Sequence, residues 1–264
     1  MVNVNLMKGD CLELMKSIPD GSVDLILTDP PYGTTACKWD SVIPFDLMWE
    51  QLKRIIKPNG AIVMTASQPF TTTLIASNMK MFRYVWHWHK GYSTGFANCN
   101  KMPMKSFEDV CVFYKKLPTY NPQGLVDSGK VNKRGSAQES MGKTGCVGGE
   151  YTQIKTNYPT DEIRTKKERT HHPTGKPVAL LEYLIKTYTN ENETVLDFTA
   201  GSMSTAIACI NTNRNGIMIE KDDHYFKVGS DRVAQALQEL GDDRINQALN
   251  EKKKTKENTN EIYG

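Results

Sequence analysis

The sequence lacks the long apolar segments and the cysteine clusters that mark membrane, secreted and zinc-binding proteins. No apolar run approaches the roughly 20 residues of a membrane helix, and the first residues lack the apolar core of a signal peptide. The six cysteines are scattered without a CxxC pair, so we expect neither a disulfide framework nor a metal site. These absences predict a cytoplasmic protein with no membrane contact.

The chain also has little net charge. A formal charge of +3 is compatible with a nucleic-acid partner but does not establish one. Hydrophobic residues make up 39% of the 264 and charged residues 24%, which is typical of a globular chain with one sizeable core.

Short apolar runs separated by helical patterns predict an α/β fold. Three runs without period-2 alternation are typical of buried parallel strands, at residues 23–28, 61–65 and 194–198. Further strands are predicted at residues 84–88, 110–114 and 216–219. Helices are predicted at residues 48–56, ended by Pro58 and Gly60, and at 181–188, starting near Pro177. The alternation predicts a doubly wound, mostly parallel sheet.

A glycine-rich polar stretch interrupts this alternation at residues 117–170. From Leu117 to Lys176 the chain holds ten Lys or Arg against six Asp or Glu, and it has no sustained hydrophobic period. The stretch is either a plain surface insertion or a module that faces nucleic acid and orders on contact.

The tetrapeptide Asp29-Pro30-Pro31-Tyr32 directly follows the first buried strand. Ligands of open α/β sheets bind beyond the carboxyl ends of strands. Two prolines fix the backbone and remove two N–H donors, so the Asp29 carboxylate and the Pro30 carbonyl form a rigid pair of acceptors. Such a pair can hold both N–H bonds of an exocyclic base amine beside a methyl donor, while Tyr32 stacks on the extruded base. Alone, the tetrapeptide is equally compatible with a structural turn.

A second turn, after the strand at 194–198, brings small residues to the start of a helix, where a ligand can approach backbone N–H groups. Glu220 ends the next strand, 23 positions after Asp197, and is placed to accept from ribose hydroxyls. One glycine stands here in place of GxGxxG, which favours a nucleoside cofactor without phosphates, such as S-adenosyl-L-methionine. A plain βα loop is the alternative. The predicted contacts in the turn are Asp197, Thr199, Ala200, Gly201, Ser202, Ser204 and Thr205.

With both motifs present, the chain resembles the β group of DNA amino-methyltransferases, in which the catalytic motif precedes the cofactor motif. The likeness covers about residues 1–232 and includes Gly9-Asp10 and the His-Pro-Thr-Gly-Lys-Pro element at 172–177. Residues 38–70 resemble the phage and prophage branch of the group. The resemblance implies a seven-stranded, Rossmann-like methyltransferase sheet. It also implies that Asp10 contacts the cofactor and that Thr174 and Lys176 lie near its methionine end.

The resemblance divides the chain into a catalytic half (1–116), a target-recognition insertion (117–170), a cofactor-binding half (171–249) and a charged tail (250–264). It implies N6 methylation of a flipped adenine in duplex DNA, in the cytoplasm of a bacterium or a phage-infected host and in the setting of restriction-modification. A cognate endonuclease and a homodimer are left open as partners. The predicted DNA contacts are Lys38, Lys90, Lys101, Lys130, Lys133 and Arg134.

Met203 departs from the family's pattern, which has a second glycine there. If the position has a positive φ, methionine costs on the order of 1 kcal/mol and would crowd the cofactor, so Met203→Gly is expected to tighten cofactor binding.

Three alternatives stay open: cytosine N4 methylation, a DNA-binding protein that has lost catalysis, and methylation of RNA or of a protein glutamine. Cytosine-C5 methylation is disfavoured because no cysteine follows a proline. His87 and His89 share a strand face, but without a third ligand they predict no metal site.

Overall fold

The structure, a computed structural model, describes residues 2–35, 40–134, 149–165 and 175–241. For residues 130–134 and 149–152 it describes the backbone alone. The predicted site residues Lys38 and Thr174 and the tail at 250–264 lie outside the described residues.

Eight of the described strands form one central sheet. They are β1 (Val4–Lys8), β2 (Val23–Thr28), β3 (Ile56–Ala66), β4 (Phe82–Thr94), β5 (Lys105–Phe113), β8 (Glu162–Arg164), β9 (Thr194–Asp197) and β10 (Asn215–Glu220). Their order is β1-β10-β9-β2-β3-β5-β4-β8. β5 is antiparallel to both of its neighbours, and the other pairs are parallel. The mostly parallel sheet is confirmed, but its predicted count of seven strands is wrong because β8 pairs with residues 87–89 of β4.

Helices cover both faces of the sheet, as the doubly wound prediction requires. One face carries α1 (Cys11–Met15), α2 (Phe45–Ile55) and α3 (Phe70–Ser77), and the other carries α4 (Val178–Tyr188), α5 (Ser204–Asn211) and α6, over residues 223–241. Leu25 and Leu27 of β2 face one core and Ile26 faces the other. Both faces of β2 are therefore buried, which explains why its sequence shows no alternation. In the described ranges no helix is both long and apolar enough to span a membrane.

The helix predicted at 48–56 ends within one residue of its expected end, but Pro58 and Gly60 do not close it as predicted. α2 ends at Ile55, and Pro58 and Gly60 lie inside β3. The pairing of β2 with β3 shifts between Val23 and Leu25, so the partner strand carries an irregularity across residues 57–60. A proline, which cannot donate to a strand ladder, is tolerated at such a bulge. The predicted start of α4 is confirmed, since Pro177 is its N-cap.

The polar segment at 117–170 contains more regular structure than its sequence predicts. β6 (Val126–Arg134) and β7 (Gly149–Thr156) form a separate antiparallel pair, and β8 belongs to the central sheet. Val126 is 55% exposed and Ile154 is 70% exposed. A two-stranded ribbon with such exposed apolar residues has no need of a regular hydrophobic period. The sequence pattern therefore did not predict these two strands.

Candidate active site

One cavity of about 1020 Å³ lies where β2 and β9 end. The residues after both strands line it, so the structure brings together two motifs 170 positions apart. The predicted site residues in its lining are Asp10, Asp29, Pro30, Pro31, Tyr32, Lys90, Lys176, Asp197, Thr199, Ala200, Gly201, Ser202, Ser204, Thr205 and Glu220. What each residue does toward a ligand stays a prediction.

The Asp29 carboxylate is held by three side chains. Its Oδ1 accepts a hydrogen bond from the Tyr32 hydroxyl at 2.6 Å and another from the Thr65 hydroxyl. Its Oδ2 accepts from Lys176 Nζ at 2.6 Å. The backbone carbonyl of Asp29 accepts from Thr199 Oγ1 at 3.1 Å, which ties this turn to the cofactor-type turn. The position of the carboxylate is therefore fixed before any ligand arrives.

The Tyr32 side chain is engaged at both its hydroxyl and its ring. Burial, together with the nearby Asp29 carboxylate, raises the pKa of the Tyr32 hydroxyl well above its ordinary value, so the hydroxyl remains a donor. The ring stacks on Phe70, with centroids 5.0 Å apart and planes at 23°, and Lys176 Nζ lies 5.8 Å from the Tyr32 centroid. The predicted stacking of Tyr32 on a base stays a prediction, whereas its hydrogen bond to Asp29 is a role that the sequence did not suggest.

Lys176 belongs to a buried row of alternating charges. Its side chain is 7% exposed, and its Nζ lies 2.6 Å from Asp29 Oδ2 and 3.3 Å from Glu108 Oε2. The other oxygen of Glu108 lies 3.4 Å from Lys90 Nζ. Burial alone would lower the pKa of Lys176, but the two carboxylates outweigh it and raise that pKa. Lys176 was predicted near the methionine end of a cofactor, and here it contacts the candidate catalytic carboxylate.

Thr65 and Glu108 are site residues that the sequence analysis missed. Thr65 lies near the carboxyl end of β3, beside β2, and so reaches Asp29. Glu108 lies in the first half of β5, and since β5 runs against its neighbours, that half reaches the edge where the parallel strands end. The one available signal was an acidic pair, Glu108-Asp109, just before an apolar run.

Asp197 connects the second turn to β2. Its carboxylate accepts from the Thr28 hydroxyl at 2.7 Å, from the Thr199 N–H at 3.1 Å and from the Thr205 hydroxyl. Burial raises the pKa of Asp197 to about 6, since these donors carry no charge. Asp197 was predicted as a cofactor contact; in the structure both of its oxygens already accept hydrogen bonds within the protein.

Glu220 and Asp10 stand at the rim of the second turn. Glu220 accepts the N–H of Gly201 on one oxygen and the N–H of Asp222 on the other, each at 2.7 Å. Gly201 has a φ of 52°, a conformation that glycine adopts without strain. Asp10 caps α1 through the N–H of Leu12, and its ion pair with Lys221 lowers the pKa of Asp10. Each carboxylate oxygen keeps a lone pair that can accept from a ligand.

Met203 has a positive φ of 63°, the condition under which crowding was expected, but the expected crowding of the cofactor is wrong. Its side chain is fully buried in the core and does not line the cavity. A Cβ added to Gly229 of α6 would lie 2.2 Å from Met203 Cγ, so the methionine side chain fills the space that a side chain at 229 would need. The departure from the family's glycine is matched by a glycine on the helix behind it.

The structure places the predicted DNA contacts in different surroundings. Lys90 is 5% exposed, with its Nζ 3.0 Å from Thr94 Oγ1, so it belongs to the buried charge row and is not on the surface. Lys101 is exposed. Lys130, Lys133 and Arg134 lie on β6, whose backbone alone is described at those positions. Within the described ranges, no three His, Cys, Asp or Glu side chains are grouped to hold a metal ion.

Comparison with known sequences gives a family. Residues 23–231 match the N6/N4 DNA methylase family. The type II methyltransferase M.HpaI of Haemophilus parainfluenzae is 26% identical over 243 residues, which cover 86% of this chain and 73% of the relative. The DNA adenine methyltransferase YhdJ of Escherichia coli (strain K12) is 26% identical over 250 residues, which cover 86% of this chain and 82% of the relative.

Solved structures show the same fold. The M1.HpyAVI–SAM complex superposes with a TM-score of 0.62 at 23% identity, covering 87% of this chain and 98% of that chain. The PvuII DNA methyltransferase, described as cytosine-N4-specific, gives a TM-score of 0.64 at 15% identity, covering 91% of this chain and 93% of that chain. Because the family match spans most of the sequence and the fold agrees, this chain belongs to the N6/N4 DNA methylase family.

Proposed function

We propose that the chain transfers a methyl group from S-adenosylmethionine to N6 of an adenine in duplex DNA. The observation that carries the proposal is that the Asp29 carboxylate and the small-residue turn at 197–205 line one cavity. An exocyclic base amine is a poor nucleophile because its lone pair is delocalised into the ring. It therefore needs fixed acceptors on one side and a methyl donor on the other, held in line.

The residues of the second turn fit this cofactor. Gly201 allows close approach to the backbone, and the carboxylates of Asp10 and Glu220 can accept from ribose hydroxyls. A cavity of about 1020 Å³ is at the upper end of the usual range for ligand pockets, which is ample for a nucleoside cofactor beside a base. When bound, S-adenosylmethionine would supply an electrophilic methyl group on a positive sulfonium, which suits a cavity lined by several carboxylates.

The residues of the first turn orient the amine. The Asp29 carboxylate accepts one N–H of the amine and the Pro30 carbonyl accepts the other, which directs the nitrogen lone pair toward the methyl donor. The hydroxyls of Tyr32 and Thr65 prevent the carboxylate from rotating. After methylation the nitrogen must lose one proton, and Asp29 is the group in place to accept it. Because the cavity is recessed, the target base has to leave the duplex stack to reach it.

An exposed hairpin beside the cavity supports duplex DNA as the substrate. Residues 91–107 extend β4 and β5 past the sheet, and they include no Asp or Glu. Lys101 is exposed, and Tyr92, Thr94 and Lys105 line the cavity. The hairpin also carries strongly exposed apolar side chains, namely Tyr92, Phe96, Met102, Met104 and Phe107, with Phe96 at 76%. Positive charge for phosphates and apolar groups for unstacked bases are what a base-flipping enzyme requires.

Adenine is favoured over cytosine because, by the family resemblance, a motif that begins with an aspartate, here Asp29, usually accompanies N6 methylation of adenine. The relative YhdJ is named an adenine methyltransferase and covers most of this chain, whereas the cytosine-N4-specific PvuII enzyme is 15% identical. A catalytically silent DNA-binding protein was an alternative because Met203 was expected to crowd the cofactor. Since the Met203 side chain does not line the cavity, that reason for the alternative is removed.

The test is nucleoside analysis of DNA from a bacterial host without its own N6-adenine or N4-cytosine methylation. Expression of the chain should produce N6-methyladenine, detected by mass spectrometry of hydrolysed DNA, and the empty vector should not. N4-methylcytosine without N6-methyladenine would change the assigned base. Neither nucleoside, from a purified chain that still shifts duplex DNA in a gel, would refute the methyltransferase assignment.

A further inference from the structure

The acceptor that the target amine requires is already occupied in the protein. Asp29 Oδ1 accepts from two hydroxyls, and Asp29 Oδ2 accepts from Lys176 Nζ at 2.6 Å. A short bond from an ammonium is stronger than one from a neutral amine, so an arriving base competes poorly for Oδ2 while Lys176 stays there. Oδ2 keeps a second lone pair, but an ammonium that moves to another acceptor leaves the full strength of this oxygen to the amine.

Glu108 provides that acceptor. Its side chain is 18% exposed, and its Oε2 lies 3.3 Å from Lys176 Nζ. Among the described residues, this buried oxygen accepts no hydrogen bond, although it forms an ion pair with Lys176. Buried carboxylate oxygens without a donor are rare because they lose hydration without compensation. An acceptor left in this state beside an ammonium indicates a second arrangement in which the two are bonded.

We propose that Lys176 is a transferable counter-ion, which bonds to Asp29 in the free enzyme and moves to Glu108 Oε2 when the target amine enters. This inference rests on the proposed function and names two positioning residues for it. The move exposes Asp29 Oδ2 to the amine at the moment when the base arrives. Because Lys176 lies between two carboxylates, its charge is paired throughout the move, and no buried ammonium is left uncompensated.

The surroundings of Glu108 keep it ready to receive the ammonium. Lys90 Nζ lies 3.4 Å from Glu108 Oε1 and is itself anchored to Thr94 at 3.0 Å. This second lysine pairs with the other oxygen of the carboxylate and leaves Oε2 to Lys176. Lys176 directly precedes Pro177, the N-cap of α4, so its backbone is fixed and the change is a side-chain rotation.

The test begins with Glu108→Gln, which keeps the size of the side chain and removes its charge. The Lys176 ammonium then has no second carboxylate to move to and stays bonded to Asp29. We expect the single-turnover rate of methyl transfer to unmethylated genomic DNA to fall at least about tenfold. The dissociation constants for S-adenosylmethionine and for DNA should stay within about twofold, because neither ligand is expected to depend on Glu108 for binding. The control is Glu13→Gln, which removes a surface partner of Lys16 and should leave the rate unchanged.

A second background shows whether Glu108 acts through Lys176. In Lys176→Met nothing occupies Asp29 Oδ2, so adding Glu108→Gln should slow the reaction less than about threefold further, although the same change costs tenfold in the wild type. Equal slowing in both backgrounds would refute the transfer, as would a wild-type rate in Glu108→Gln. A purely structural role for Glu108 would instead lower the melting temperature and slow both backgrounds alike.

A structure with unmethylated DNA and S-adenosylhomocysteine tests the move directly. Lys176 Nζ should lie within about 3.2 Å of Glu108 Oε2 and beyond hydrogen-bond distance of Asp29 Oδ2. An unchanged Lys176–Asp29 bond with the base in place would overturn the proposal. A wild-type chain that transfers no methyl group to DNA would instead refute the proposed function, so the two failures are distinguishable.

Discussion

Asp29 and Asp197 begin the two turns that meet at the cavity, yet their surroundings differ. Asp29 is bonded by a lysine that lies 147 positions away, together with two hydroxyls. Asp197 is bonded by two hydroxyls and a backbone N–H, two of these from residues within eight positions of it. The partly buried carboxylate of Asp29 is thus paired with a charge, whereas the buried carboxylate of Asp197 is not.

The difference shows what each turn is adapted to do. A carboxylate that must accept an amine needs a full negative charge, and the ammonium of Lys176 stabilises that charge. The Asp197 carboxylate joins the second turn to β2, a task for which hydrogen bonds are sufficient. We therefore expect changes at Asp29 to alter chemistry, and changes in the second turn to alter mainly stability.

The largest expected effect is from Asp29→Asn. An amide is uncharged and has a single acceptor oxygen, so it orients the amine poorly and cannot take the proton afterwards. We expect the single-turnover rate to fall by about 10³-fold. The matched control is Asp24→Asn in the same strand, whose carboxylate pairs with Lys57 at 2.6 Å and accepts the N–H of Thr194 at 2.9 Å. It should lower stability and leave the rate within about threefold, since β2 places it away from the cavity. A rate above one tenth of wild type in Asp29→Asn would contradict the assigned role.

The second effect is the pH dependence of stability caused by Asp197. Burial raises its folded-state pKa from 3.8 to about 6, so between these values the folded protein holds a proton that the unfolded chain has released. Stability from this group therefore falls as pH rises through that interval and is constant above it. Between roughly pH 4 and pH 6, the free energy of unfolding of the wild type should fall by up to about 3 kcal/mol relative to that of Asp197→Asn. Urea denaturation of both proteins at several pH values measures the difference, and parallel curves would contradict it.

The contrast between the two turns also explains how far the sequence could predict the site. The buried strand before each motif was recognisable from its apolar run, and a contiguous motif such as Asp29–Tyr32 can be found without knowing how the strands pair. Thr65 and Glu108 carry no motif. They reach the site because β3 is parallel to β2 and β5 is antiparallel to β3, and the pairing of strands cannot be read from one sequence.

The same limit applies to Met203 and to β8. The unusual residue at 203 was visible in the sequence, and its backbone has the positive φ under which a methionine is strained. The direction of its side chain depends on Gly229, 26 positions later on α6, and no pattern linked the two. β8 has three residues, too few to show a period, and only its pairing with β4 makes it a strand.

The smallest expected effect is in the second turn, at Met203. Met203→Gly relieves a left-handed backbone but removes a fully buried side chain, and the loss of packing should win, with a net cost of about 1–2 kcal/mol. Cofactor affinity, measured by calorimetry, should stay within about twofold because the side chain does not line the cavity. Tighter cofactor binding in Met203→Gly would contradict this expectation and support the original hypothesis that Met203 crowds the cofactor.

The cost of an alanine at Gly229, with and without the Met203 side chain, provides the sharpest check of this packing. In the wild type, Gly229→Ala should destabilise the protein, because the new Cβ would lie 2.2 Å from Met203 Cγ. In the Met203→Gly background that atom is gone, and the nearest remaining atom is the backbone carbonyl carbon of Ser202 at 3.2 Å, so the same change should destabilise the protein much less. Thermal or urea denaturation of the four proteins gives the coupling. If Gly229→Ala has the same effect in both backgrounds, Met203 does not fill the space in front of Gly229.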